Sequence, residues 1–340
     1  MTRLSHFTRL AAGASRKRLR WTAAVTLAGA ATAATALTLA PAAPAAYPGP
    51  NGLIAFRAAT DSGIQIFTIN PGTLQQVQLT QLNGDAQGSP QWNFDSSMIT
   101  FEYDPANVTS NDFCHVATMN ADGSDLTFLP LANGDQCEAT PDFSADGKRL
   151  FYEGYNGKHR DDIWSMNLDG SERRLVTACE GRGVIDPEPS PDGKMLAFTC
   201  YSRSGGALFV SRIDGSALRR LTPYSFNVGI HEDWSPDSRH IMFISTHDEG
   251  TADAQVNTAT IKPDGTDLQW LTNNPAGGLR SYGNSYSPDG QWIVLRMETG
   301  DQGGDFQSAL FKMKTDGSDL TQITPYSSFR PRGMCWGSAS

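Results

Sequence analysis

Apolar residues in this chain come in short bursts set off by polar turns, and the bursts recur in a fixed order. One set reads MITFEY, RLFYEG, MLAFTC, HIMFIS and WIVLRM; a second reads QIFTIN, HVATMN, DIWSMN, ALFVSR and ALFKMK. A shorter run such as LRRLTP, LQWLTN or LTQITP closes each unit, and an aromatic-containing segment opens it. Runs of this length, rich in β-branched and aromatic residues and bounded by turn residues, predict four strands per unit. The turn after the third strand places its glycine at Gly72, Gly123, Gly170, Gly215, Gly265 and Gly317, spaced by 51, 47, 45, 50 and 52 residues. A second turn keeps step with it: FDSS (94–97), SADG (144–147), SPDG (190–193), SPDS (235–238) and SPDG (287–290). In Ser-Pro-Asp-Gly the proline presets φ and the glycine takes the positive φ that returns the chain. The Asp-Gly segments lack the spaced carboxylates and distal Glu of an EF-hand, so they read as turns.

Four-stranded units at this period predict an all-β fold, a β-propeller of four-stranded antiparallel blades. NGLIAF (51–56) begins at a second strand, and the chain finishes RGMCWGSAS, a lone first strand whose Trp336 aligns with Trp92 and Trp234. The C-terminal strand is therefore expected to join the first blade and close a ring of six, leaving no sheet edge open to aggregation. Residues 47–340 then form one domain, expected to be a monomer.

The repeated string resembles the hallmark of TolB-like propellers, P-x-W-S-P-D-G-K-x-I-A-F followed by I-W-x-M-N-x-D-G-S-x-x-R-x-L-T. Blade 3 carries it as TPDFSADGKRLFYEG and DIWSMNLDGSERRLVT, and the likeness runs over roughly residues 51–337. The resemblance implies the propeller fold and an extracytoplasmic setting without implying an activity. Related propellers occur beside the hydrolase domain of serine peptidases, and others cleave acidic sugars with channel histidines around a metal. Here His231, with His115, would be the histidines available for that role.

The first 46 residues stand apart. A basic stretch with six Lys/Arg and no acid, an uncharged Ala/Thr/Leu-rich stretch and PAAPAA make the three-part pattern of an export signal, with a retained anchor as the alternative. Without it the chain has 21 basic residues against 36 acidic ones, a net −15. Nucleic acid and anionic membrane surfaces both reward clustered Lys/Arg, so neither is an expected partner. Export also permits disulfides. Blade geometry ranks Cys114–Cys137 and Cys179–Cys200 as staples between neighbouring blades, with Cys335 left as a thiol on the closing strand.

Candidate chemistry comes from two places. The long connections between second and third strands, 104–113, 154–162, 200–206, 246–255 and 298–307, share one end of the ring, where variable loops on a rigid scaffold normally carry binding. Tyr155, Tyr201 and Tyr282 lie near that end as ligand-contact candidates. The second place is the channel. Two residues before the turn serine the inner strands carry Gln91, Asp142, Glu188, Asp233, Ser285 and Cys335. Three consecutive carboxylates at one level could hold Ca²⁺ or another divalent cation. Only one copy reads HED before its aromatic, adding His231 and Glu232, and a His beside carboxylates also suits a transition metal or a general base. The competing structural reading has these acids accept backbone N–H groups of the next blade.

No Gly-x-Ser-x-Gly elbow or His-Glu-x-x-His pair is present. The sequence is read as an exported, non-enzymatic binding or scaffolding propeller that recognises a protein or cell-envelope glycan at its variable-loop face. The alternative is a metal-dependent carbohydrate-active enzyme, lyase or hydrolase, with a channel-mouth site at His231, Glu232, Asp233, Glu188 and Asp142.

Overall fold

The computed structural model describes residues 49–106, 113–132, 136–155, 162–179, 183–229, 231–247, 255–299, 307–327 and 329–339. The expected export signal and most of the long connections lie outside the described residues.

Six four-stranded antiparallel sheets account for the fold, as the repeat predicts. Blade 1 is built from both ends of the domain: Arg332–Ser338 is its inner strand, paired with Asn51–Thr60, then Gly63–Ile69 and Gln76–Gln78. The register Ile54↔Trp336, Ala55↔Cys335 and Phe56↔Met334 closes the ring. Inner strands of blades 2, 3, 4 and 6 are Gly84–Trp92, Cys137–Phe143, Gly183–Pro189 and Arg280–Tyr286. In blade 5 this strand shrinks to Asp233–Trp234.

The turns work as their residues demand. Ser190 Oγ donates to Asp192 Oδ1 at 2.7 Å and accepts the Met195 N–H at 2.9 Å, so the turn is locked from inside, and Gly193 takes φ 70°. Blade packing adds its own demand at the other turn. A Cβ on Gly215 (φ 82°) would collide with the carbonyl of Val176 in blade 3.

Phe143, Trp234, Tyr286 and Trp336 are buried wedges at one repeat position, which confirms them as core. Trp234 also donates its Nε1–H to the Glu188 carbonyl of the preceding blade at 2.8 Å. Both expected disulfides are present. Cys114–Cys137 joins blade 2 to blade 3 and Cys179–Cys200 joins blade 3 to blade 4, with Cα separations of 4.4 and 6.1 Å. Each closes a loop whose entropy corresponds to about 3 kcal/mol. Cys335 is the free thiol, and burial pushes its pKa up, away from the thiolate form.

Candidate functional site: the central channel

Five inner strands share a kink that shapes the channel. Thr140, Asp186, His231 and Gly333, each two residues before the ring position (Asp142, Glu188, Asp233 or Cys335), have positive φ (44°, 58°, 79° and 51°), and Gly88, three residues before Gln91, has φ 65°. In blades 2, 3 and 4 the register with the second strand slips there, between Gln87 and Gln91, Ala139 and Asp142, and Ile185 and Glu188. These are β-bulges, which re-aim side chains. Asp and His tolerate the left-handed region better than most residues.

Below the bulges, toward the short turns, Gln91, Asp142, Glu188, Asp233, Ser285 and Cys335 line one cavity, walled by Trp92, Phe94, Pro189, Pro191, Trp234 and Trp336. Phe94 and Pro191 belong to the short turns, so the recess opens at their end of the ring. Its volume is about 40 Å³. That holds a few waters, an ion or the tip of one side chain, and is far below the roughly 300 Å³ of a typical small-molecule pocket.

Three ring positions stitch neighbouring blades. Asp233 Oδ2 accepts the Tyr286 N–H at 2.6 Å, Ser285 Oγ accepts the Trp336 N–H at 3.1 Å, and Cys335 Sγ accepts the Trp92 N–H at 3.5 Å. The other carboxyls lean on one another. Asp142 and Glu188 share a hydrogen bond, and Glu188 also accepts from Gln91 Nε2 at 2.8 Å. Burial pushes Asp233 up to about 7 and raises Asp142 and Glu188, with Asp142, Asp186 and Asp233 adding repulsion at Glu188.

At the bulge level the HED residues are interior. Asp186 accepts the His231 N–H, and its carboxyl also pairs with Glu232, which accepts from Thr199 Oγ1. His231 Nδ1 meets Ser89 Oγ at 2.7 Å, a bar from blade 5 to blade 2, the blade directly opposite in the ring. Burial, with Arg296, Arg57 and Arg332 beyond, holds the imidazole pKa well below its ordinary value. His231 is therefore neutral.

Above the bar the charge reverses. Arg57 on the second strand of blade 1, Arg296 on that of blade 6 (Trp292–Thr299) and Arg332 on the inner strand of blade 1 all act on His231. Arg296 Nε lies 3.0 Å from Glu298 Oε1 and its guanidinium 4.0 Å from the Tyr282 ring centroid. Burial and Arg332 bring Arg57 down to about 10, while burial and Asp104 push Glu102 up to about 7.

The TolB beta-propeller domain model matches residues 105–328, about two thirds of the chain. The chain belongs to the TolB β-propeller family. The crystal structure of TolB from Acinetobacter baumannii superposes with a TM-score of 0.66 at 18% identity, over 86% of this chain and 68% of that one. An uncharacterized protein of Agrobacterium fabrum is 28% identical over 155 residues, 44% of this chain and 50% of that protein. The Tol-Pal system protein TolB of Wolbachia pipientis is 40% identical over 67 residues, 19% of this chain and 15% of its own. The matches thus span half or less of these curated relatives.

Within this TolB-family channel the sequence candidates separate. Asp142, Glu188 and Asp233 do share one level, but at the short-turn end; Glu232 and His231 are buried at mid-channel, not at a variable-loop mouth. Tyr282 packs under Arg296, whereas Tyr155 and Tyr201 lie in the second strands of blades 3 and 4, paired with Cys137 and Gly183. Asp142, Glu188, Asp233 and His231 do not bring three ligand atoms within 4.8 Å of one another. Among the described residues that criterion selects Glu102 with Cys114 and Cys137, whose sulfurs are already joined. The candidate absent from the sequence reading is the arginine corner. Its signal was available: the residues three after Ile54, Ile99, Leu150, Leu196, Ile241 and Ile293 are Arg57, Glu102, Glu153, Thr199, Ile244 and Arg296.

Proposed function

We propose that this chain is an exported binding propeller that engages a protein partner at the short-turn mouth of its channel, where the partner inserts a basic side chain. The observation that carries this reading is the recess itself, an acid-floored pocket ringed by Trp92, Phe94, Pro191 and Trp336 and sized for one side-chain tip. Aromatic walls around a small pocket suit a partner's anchor residue. A Lys or Arg head would relieve the repulsion that raises Asp142, Glu188 and Asp233, so docking would release protons. The membership in the TolB family supports a protein partner, and the two disulfides support an oxidising compartment.

The carbohydrate-enzyme alternative asks for room for a sugar ring and for free acid–base groups. The recess offers little room for a sugar ring, and the engagement of the carboxyls and His231 with one another, Gln91, Ser89 and backbone N–H groups supports the binding reading instead.

A photo-crosslinking residue at position 94, in cells expressing the full chain, should capture a discrete partner. A residue at outer-strand position 175 should not, and Asp142→Asn with Glu188→Gln should abolish the capture. Equal crosslinking from both positions, or capture indifferent to the double substitution, would sink the reading. Mass spectrometry of the secreted protein's N-terminus tests cleavage after the leader.

A further inference from the structure

The short-turn end carries a second, larger opening outside the channel. A groove of about 760 Å³ lies between the two short turns of blade 4, within the roughly 300–1,000 Å³ of ligand sites. Met195, Val210 and Ile213 give it an apolar lining, and Lys194, Arg212 and Arg219 bring three cations against one acid, Asp214. We propose that this groove docks an acidic residue with apolar neighbours on the partner polypeptide, its carboxylate taking the place beside Arg212 that the repeat elsewhere gives to an acid of its own. The proposal rests on the reading that a protein docks at the short-turn end, and it adds an anchor of opposite charge to the basic one in the recess.

The repeat supplies the reason. Across blades 2 to 6 the residue three before the Asp-Gly glycine is Asn120, Asn167, Arg212, Lys262 and Lys314, and the residue two after it is Asp125, Glu172, Ala217, Asp267 and Asp319. In blades 5 and 6 the cation and the acid pair, Lys262 with Asp267 at 3.0 Å and Lys314 with Asp319 at 2.5 Å. Blade 4 alone combines a cation with a residue that has no carboxylate. Asp214 does not replace it. Its Oδ1 accepts the Ser216 N–H and Oγ–H at 3.0 and 2.6 Å, a turn lock that Asp264 and Asp316 also make in the paired blades. Lys194 pairs with Asp192 at 2.9 Å, and Arg219 donates to the Pro263 and Asp264 carbonyls of blade 5. Arg212 is thus the cation that the groove presents.

The backbone argues the same way. Ala217 sits at φ 56°, and Asp125, Asp267 and Asp319 hold the same place at 53°, 58° and 56°. Aspartate visits this left-handed region more readily than alanine. Blade 4 has therefore given up an acid that suits both the local backbone and the facing cation, and such concessions of stability mark functional surface. The guanidinium fork matches a carboxylate, and on a chain of net charge −9 the groove is a local positive field.

The test titrates the full mature chain calorimetrically with a short capped peptide of alternating leucine and glutamate, with its glutamine counterpart and with octanoate. The glutamate peptide should bind with a Kd of about 1 mM or tighter, and the glutamine peptide at least about threefold more weakly. Arg212→Gln should remove that preference. Ala217→Asp fits the backbone and returns the repeat's acid, so it should raise the melting midpoint by about 1 °C while weakening the glutamate peptide at least about threefold. Equal binding of the two peptides, binding indifferent to both substitutions, or octanoate bound in preference to the peptide would each overturn the proposal. Crosslinking at position 94 reads the recess separately. Capture there without peptide binding sinks the groove alone, whereas peptide binding without capture supports the groove and sinks the docking mouth.

Discussion

The two halves of the channel are built from the same repeat yet hold opposite charge. From the bulges to the short turns lie five carboxyls, Asp142, Asp186, Glu188, Glu232 and Asp233. Beyond the His231–Ser89 bar, guanidiniums come from the second strands of blades 1 and 6 and the inner strand of blade 1. The acidic half is knitted into the fold, since Asp233 accepts a neighbouring blade's N–H and the other acids pair among themselves. In the arginine half Arg296 meets Glu298 and Tyr282, and Arg57 donates to Gln87. The acids of this channel thus stitch blades and floor the docking recess at once, while the arginines set the charge above the bar.

The largest effect that would sharpen this contrast is expected at Asp233. Asp233→Leu leaves the Tyr286 N–H buried and unpaired between blades 5 and 6, which should cost about 3 kcal/mol in urea unfolding. Asp233→Asn keeps an acceptor and should cost less than half as much. Equal losses for the two variants would remove the stitching role.

The next effect is pH dependence. Asp233 at about 7, with Asp142 and Glu188 also raised, keeps protons in the folded state that the unfolded chain releases near its ordinary value of about 4. The native state then binds more protons, so stability falls as pH rises. The fall begins above about 4 and continues through about 7, where Asp233 loses its proton. Between pH 5 and pH 7 Asp233 alone should cost about 2 kcal/mol of stability. Asp142→Asn with Glu188→Gln should flatten that slope. A steeper slope in the double variant would reverse the assignment.

Much of this was legible in advance, for reasons that differ by region. The blade count followed from two turn signals in step, and the disulfides followed because Cys114, Cys137, Cys179 and Cys200 fall on adjacent blade edges. The ring of Gln91, Asp142, Glu188, Asp233, Ser285 and Cys335 was a repeat position and lines one cavity. HED was misplaced along the channel. Asp233 is one residue from the end of an inner strand that runs toward the short turns, so its neighbours Glu232 and His231 fall at mid-height rather than at a mouth. His231 takes a positive φ of 79° just before that short strand and its side chain reaches Ser89 across the channel, a backbone turn that periodicity alone does not reveal. The arginine corner escaped because ring closure, not local sequence, brings Arg57 beside Arg296.

A smaller effect is expected at the bar between the halves. His231→Asn tolerates the left-handed backbone but loses the reach to Ser89, and should cost about 1 kcal/mol. His231→Val adds a β-branched residue at positive φ and should cost at least twice that. Near-equal losses would mean that the backbone at this position relaxes freely.

The smallest effect belongs to the arginine half. Arg332 is 40% exposed along its side chain and lies 4.0 Å from Glu298, a geometry worth under about 0.5 kcal/mol to the fold. Loss of that ion pair in Arg332→Met should therefore change urea stability little. The substitution should still raise the His231 pKa, because Arg332 is one of three charges that hold the imidazole neutral. NMR titration of the His231 ring measures that shift directly. Arg296→Met should move it further, since Arg296 exerts the largest of the three electrostatic effects on His231. An unchanged pKa in both variants would mean that the arginines do not face the bar, and the contrast between the two halves would collapse into ordinary surface charge.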